Sequence, residues 1–160
     1  MNIQFKIATA KKTDSLEILE LSNDLEVRNN SFNSDEISLS GHNKWFEKKI
    51  ENENTIFYVV RNEDNVFMGY VRFDKENEDS CFITIHLKKE FRGKGIGTEL
   101  IKQTTEKVLS ESKYDKVYSY IKKNNLASLK AFIKSNFIQI SDKEVINGFE
   151  CYKLVKEKDK

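Results

Sequence analysis

Three of the six glycines in this chain of 160 residues lie within five positions, at Gly93, Gly95 and Gly97, and the chain contains no proline. In so glycine-poor a sequence, Arg92-Gly93-Lys94-Gly95-Ile96-Gly97 constrains the fold more than any other feature. The cluster follows an alternating apolar run ending at Leu87 and the short connection Lys88-Lys89-Glu90-Phe91. It opens a segment, from Gly95 to about Ser112, with Ile96, Leu100, Ile101, Thr104 and Val108 at helical spacing. A helix's first turn leaves backbone N–H groups without partners, and its dipole places partial positive charge there. Glycines let a diphosphate reach those donors without a Cβ in the way, while Arg92 and Lys94 add charge. On its own the loop is also compatible with a glycine-rich turn that binds nothing. It lacks the Gly-Lys-Ser/Thr of a Walker loop, and Gly-x-Gly-x-Gly is not the dinucleotide fingerprint.

The remaining pattern predicts alternating strands and helices. Ile3 to Ala8 reads as a first strand. Thr13 or Asp14 caps a helix carrying Leu16, Leu19 and Leu21, with Glu17 reaching back toward the cap. Ser22 to Ser40, rich in Asn, Ser and Asp, reads as loop. A second helix from about Ser40 places Leu39, His42, Phe46 and Ile50 on one face with Trp45 beside them. Ile56 to Arg61 and Val66 to Asp74 form a hairpin across Asn62-Glu63-Asp64-Asn65, and Cys81 to Leu87 is the next strand. Lys116 to Ile121 is a strand and Leu126 to Ser135 a short helix, with Asn136 in the left-handed position that ends it. Phe137 to Ile140 and Phe149 to Val155 close the chain. The order β-α-α-β-β-β-α-β-α-β-β implies an α+β fold: a mixed sheet of about six to seven strands, antiparallel at its centre, with helices on both faces. Such a length fits one domain.

The 27 basic and 26 acidic residues leave a net charge of +1, which argues against nucleic acid as a partner. Cys81 and Cys151 stand 70 positions apart outside any metal-ligand spacing, so no metal site is expected and a reducing cytoplasm is. The first ten residues carry no apolar run long enough for a signal or a membrane span.

A second motif follows some thirty residues after the glycines: Asn125-Leu126-Ala127-Ser128, then Phe132 and Asn136-Phe137. Together with Thr84-Ile85-His86-Leu87 and the Arg92 to Gly97 loop, it resembles the GNAT (Gcn5-related) N-acetyltransferases, whose patterns are Arg/Gln-x-x-Gly-x-Gly/Ala and Asn-x-x-Ala/Ser-x-x-x-Tyr. The resemblance spans roughly residues 56 to 140. It implies an acetyl-CoA core there, an acceptor-side region over 1–55, and a closing strand and tail over 141–160. It further implies that backbone groups around Ile85 and Leu87 pair with the pantetheine arm. Backbone N–H groups of Arg92, Gly93, Lys94, Gly95, Ile96 and Gly97 would hold the pyrophosphate, with Asn125 and Ser128 beside the arm. Phe132 stands where many relatives carry the tyrosine that protonates the leaving thiolate, and it has no proton to give.

The implied reaction is direct attack of a neutral amine on the thioester, driven by holding the reactants together and polarising the carbonyl. His86, on one strand face with Phe82 and Thr84, is the candidate base, since an imidazole titrates near ~6.5; a pocket-shaping role is the alternative. Cys81 is read as structural rather than as a nucleophile. The N-terminal stretch Val27-Arg28-Asn29-Asn30-Ser31-Phe32, with His42-Asn43-Lys44-Trp45-Phe46, is similar to the branch acting on nucleotide-linked amino sugars. Arg28, Asn29, Ser31, His42, Trp45 and Arg72 are thereby candidate acceptor contacts. Trp45 could equally be core, and Arg28 and Arg72 surface ion pairs. A peptide or protein N-acetyltransferase and a non-catalytic acetyl-CoA-binding module are the rival functions. Closing strands of this fold often pair between subunits, so a homodimer is expected.

Overall fold

The structure, a computed structural model, describes residues 4–159. Its order is β1 (Phe5–Thr9), α1 (Ser15–Ser22), α2 (Leu25–Asn30), α3 (Leu39–Glu51), β2 (Thr55–Asn62), β3 (Phe67–Asn77), β4 (Ser80–Leu87), α4 (Ile96–Glu111), β5 (Lys116–Lys122), α5 (Leu126–Lys134), β6 (Ile138–Ile146) and β7 (Phe149–Glu157). The seven strands form one sheet, ordered β1-β2-β3-β4-β5-β7-β6. Every pairing is antiparallel except β4 with β5. Ile3, expected to begin the first strand, lies outside the described residues.

The central strands alternate between two buried faces, which is why they read as continuous apolar runs. Tyr58, Val60, Val71, Phe73, Ile83 and Leu87 pack under α4, against Leu100, Ile101 and Val108. Phe57, Val59, Phe67 and Tyr70 face the opposite way, against Ile18 of α1, Val27 of α2 and Phe46 of α3. Each such large side chain taken fully out of water contributes about 1.5–3 kcal/mol. No helix of the described residues is long and apolar enough to cross a membrane.

Three expectations about the first third need correction. The stretch read as loop contains α2, whose N-cap Asp24 accepts from the Val27 N–H at 3.2 Å. Leu16 is 67% exposed and Leu39 is exposed too; α1 fills the core with Ile18, which was not expected there, beside Leu21, which was. Asp14 does not cap α1 with its side chain. Its carboxylate instead accepts from the Lys11 N–H and pairs with Arg61 at 2.7 Å, and Arg61 also takes Glu17. Asn136, by contrast, has φ 69° after α5, the left-handed geometry foreseen for it.

Candidate active site

β4 and β5 run in register only from Ser80 opposite Lys116 to Phe82 opposite Tyr118. Beyond Phe82 the two strands part, leaving the edge of Ile83 to Leu87 without a strand partner on that side. A cleft of about 1020 Å³ fills the gap and continues beneath α2 and α3. Gly69, across from Leu87, makes the close strand approach possible: a Cβ there would stand 2.2 Å from the His86 carbonyl oxygen.

The glycine loop borders one end of this cleft. Gly93 and Gly95 have φ of 74° and 79°, where an L side chain costs about 1–2 kcal/mol. None of the N–H groups from Gly93 to Thr98 has an acceptor among the described residues; the Glu99 N–H is the first to bond back, to Gly95 at 3.2 Å. A row of open donors at a helix start, with nothing within 4 Å of where a Cβ would sit on Gly93 or Gly95, fits a diphosphate. The side chains behave differently from expectation. Arg92 donates from Nε to the Leu87 carbonyl at 2.9 Å and pairs with Asp24 at 3.2 Å and with Glu26, so its charge is already matched. Lys94 is exposed and off the cleft, and the Ile96 side chain is buried in the core. Asn125 caps α5, its side chain accepting from the Ser128 N–H at 3.3 Å, and both residues line the cleft wall, as do Ile85 and Leu87.

The acceptor end is built from α2, α3 and the faces of β3 and β4 that point away from α4. Arg28 lines it, but its donors are spent within the chain. The guanidinium clamps the loop after α2, donating to the carbonyls of Ser22, Asn33 and Asp35 at 2.6, 2.9 and 3.3 Å and to Ser31 Oγ. Ser31 in turn donates to the Val27 carbonyl. Asn29 is exposed and away from the cleft; its carbonyl accepts from Lys122 at 3.0 Å, and Asn30 lines the wall instead. His42 is 1% exposed, stacked on Phe46 and bonded to Ser15, which makes it a core residue at the cleft's floor. Trp45 keeps an edge on the cleft and Phe46 does not. Arg72 lies over the Trp45 ring at 4.9 Å and donates to Asp74 at 2.7 Å. Burial alone would raise the Asp74 carboxyl, but Arg72 and Lys49 outweigh it and hold it below the usual range. Tyr70, Thr84 and Tyr120 also line the cleft. The two-residue alternation of their strands could have pointed to them, since Tyr70 shares a face with Arg72, and Thr84 with His86.

His86 sits in this wall beside Tyr70, the ring centroids 5.4 Å apart. Burial, and then the cations Arg72, Arg28 and Arg92, push its imidazole down to about 3. The expected titration near neutrality is therefore corrected: the ring is uncharged at neutral pH and holds a proton poorly. Cys81 is fully buried, its thiol pushed up to about 12 by burial and by Asp74 and Glu76, as befits an inert structural residue. Phe132 is 2% exposed and packs edge-on against Phe137.

Parted parallel strands, a glycine loop with open backbone donors and a cleft that runs on beneath α2 and α3 make a site where an anionic cofactor and a second molecule can meet. The chain belongs to the GNAT acetyltransferase family, whose domain model matches residues 5–138. It is an N-acetyltransferase that uses acetyl-CoA. The spermidine N-acetyltransferase of Vibrio cholerae, in complex with CoA and spermine, superposes with a TM-score of 0.87 at 18% identity, covering 97% of this chain and 96% of that one. A protein assigned as a phosphinothricin N-acetyltransferase gives 0.79 at 17% identity over 98% and 100%. A domain from Methanocaldococcus jannaschii gives 0.81 at 18% identity over 97% and 100%. No curated protein matches the sequence significantly.

Proposed function

We propose that the acceptor is the primary amine of a small molecule, and that this molecule is a nucleotide-linked amino sugar. The roofed acceptor chamber carries the reading. α2 and the loop after it are held down by Arg28 from within, by Arg92 from the cofactor loop, by Lys122 at the end of β5 and by Asn147 in the turn between β6 and β7. A peptide acceptor needs a groove open at both ends, and these four ties work against one. Trp45 offers an apolar edge to a sugar or base, while Asn30 and Ser31 offer polar ones.

Acetyl-CoA, held by the Gly93 to Thr98 N–H groups and the free edge of β4, would supply the acyl thioester. Ile85 and Leu87 offer backbone groups along that edge, although the Leu87 carbonyl is already taken by Arg92. Neutral His86 offers a lone pair to an N–H of the amine and so orients it for attack, while solvent carries the proton away. Phe132 leaves the departing thiolate without a donor at the family's tyrosine position. Residues 56–140 would be the cofactor core of a single cytoplasmic domain. Exposed Ile138, Ile140 and Val145 on β6 support a homodimer face. The test is thiol release from acetyl-CoA across a panel of amines that includes UDP-linked amino sugars, spermidine and peptides. Turnover confined to peptides would overturn the acceptor reading, and acetyl-CoA binding without thiol release from any amine would make the protein a binding module.

A further inference from the structure

We infer that Arg72 is an anion receptor in the acceptor chamber, so that the amine acetylated carries a phosphate or carboxylate group and polyamines are not acceptors. This rests on the acetyl-transfer reading above and assigns one residue to the acceptor's anionic group.

Arg72 lies on β3 opposite Thr84, two pairs along from Tyr70 and His86 and so on the same strand face, which lines the cleft. Its side chain is only 14% exposed. The guanidinium is held flat by Trp45 at 4.9 Å and Phe57 at 5.7 Å. Nε is committed to Asp74, but the two terminal nitrogens have no hydrogen-bond partner among the described residues. Asp74 does not neutralise the group either, because it also serves Lys49 at 2.7 Å. One carboxylate between two cations leaves a surplus positive charge. A guanidinium cannot shed its proton, and a largely desolvated one with open donors is completed by a forked oxyanion.

The rest of the lining offers no free negative charge, although Arg92 is already paired and Lys130 and Lys134 stand on α5 at the cofactor side. Arg28, Arg72, Arg92, Lys130 and Lys134 face the cleft, while Glu26 is the one carboxylate among the described lining residues and is bound to Arg92. A molecule with several ammonium groups would find no free counter-charge there. That differs from what the name of the Vibrio cholerae neighbour says it acts on, and the two chains share only 18% of their residues. The depressed titration of His86, to which Arg72 contributes after burial, is a second sign of the same field.

The chain's single tryptophan is the ring beneath Arg72, so its fluorescence reports directly on the site. With the protein saturated by CoA, to fill the glycine loop, inorganic pyrophosphate, UDP, glutamate and spermidine are titrated separately. A saturable change with pyrophosphate and UDP is expected if the group read is phosphate, and with glutamate if it is carboxylate. Either response should weaken at least about 10-fold in Arg72→Gln and persist partly in Arg72→Lys. Should those variants fail to fold, the wild type decides: in thiol-release assays the responding anion should raise the amine KM with kcat unchanged. A saturable response to spermidine, or anion affinity unchanged in Arg72→Gln, would overturn the inference while leaving acetyl transfer intact. Absent thiol release with any amine would sink acetyl transfer while the fluorescence result still stood.

Discussion

Acidification should destabilise this fold through His86, and the size of the effect follows from where the ring sits. Burial and the surrounding arginines hold its folded pKa at about 3, whereas an unfolded chain titrates near ~6.5. The unfolded state therefore takes up a proton that the fold refuses. The stability contribution is complete above pH ~6.5 and falls away as pH drops toward 3, by up to about 1.4 kcal/mol per unit. Between pH 6.5 and 4.5 the ceiling is about 2.7 kcal/mol, a large fraction of the ~5–15 kcal/mol of a typical domain. The ring retains an edge on the cleft, so solvent reduces the realised value below that ceiling. Asp24 and Asp74, held below their ordinary values, act only under pH ~4, which separates them from this window. His42 is lowered in the same direction by burial and remains in a His86→Gln variant, so its share cancels in a comparison. Urea unfolding of wild type and His86→Gln at half-unit pH steps should give curves that converge as pH falls, the variant losing less. With only two histidines in the chain, proton NMR can follow each ring directly. Parallel stability curves, or a His86 ring titrating above pH 6, would refute the electrostatic account of the chamber.

Gly69→Ala should cost at least ~3 kcal/mol or prevent folding, because its methyl would lie 2.2 Å from a backbone oxygen that cannot move without shifting β4; thermal melts measure it. Arg92→Gln should release α2 from the cofactor loop, seen as faster amide exchange over residues 24–33 and a rise in the amine KM of about 10-fold. Neither Cys81 nor Cys151 should react with a thiol reagent in native protein at pH 8, and both should react once unfolded, since both are buried and shifted upward. Replacing Ile138 and Ile140 by lysine should convert a sedimenting dimer to monomer without changing acetyl-CoA affinity.

The alternation of β2 to β4, the helix after the glycines and the left-handed Asn136 after α5 were legible because each is a local pattern: period two, period 3.6, or a helix-ending residue. The glycine loop was legible as a place without Cβ atoms, but the positive φ of Gly93 and Gly95 came from the structure. What the sequence could not carry was the destination of its charges. Arg28, Arg72 and Arg92 look alike in one dimension. Only the fold assigns Arg28 to backbone carbonyls five to seven residues on, Arg92 to carboxylates on α2 more than sixty residues away, and Arg72 to an aromatic face with two donors left open. His86 shows the same division. Its strand face was readable from alternation, but its titration depends on burial and on cations brought from other elements. Desolvation and Coulomb terms act through space, and tertiary packing alone fixes those distances.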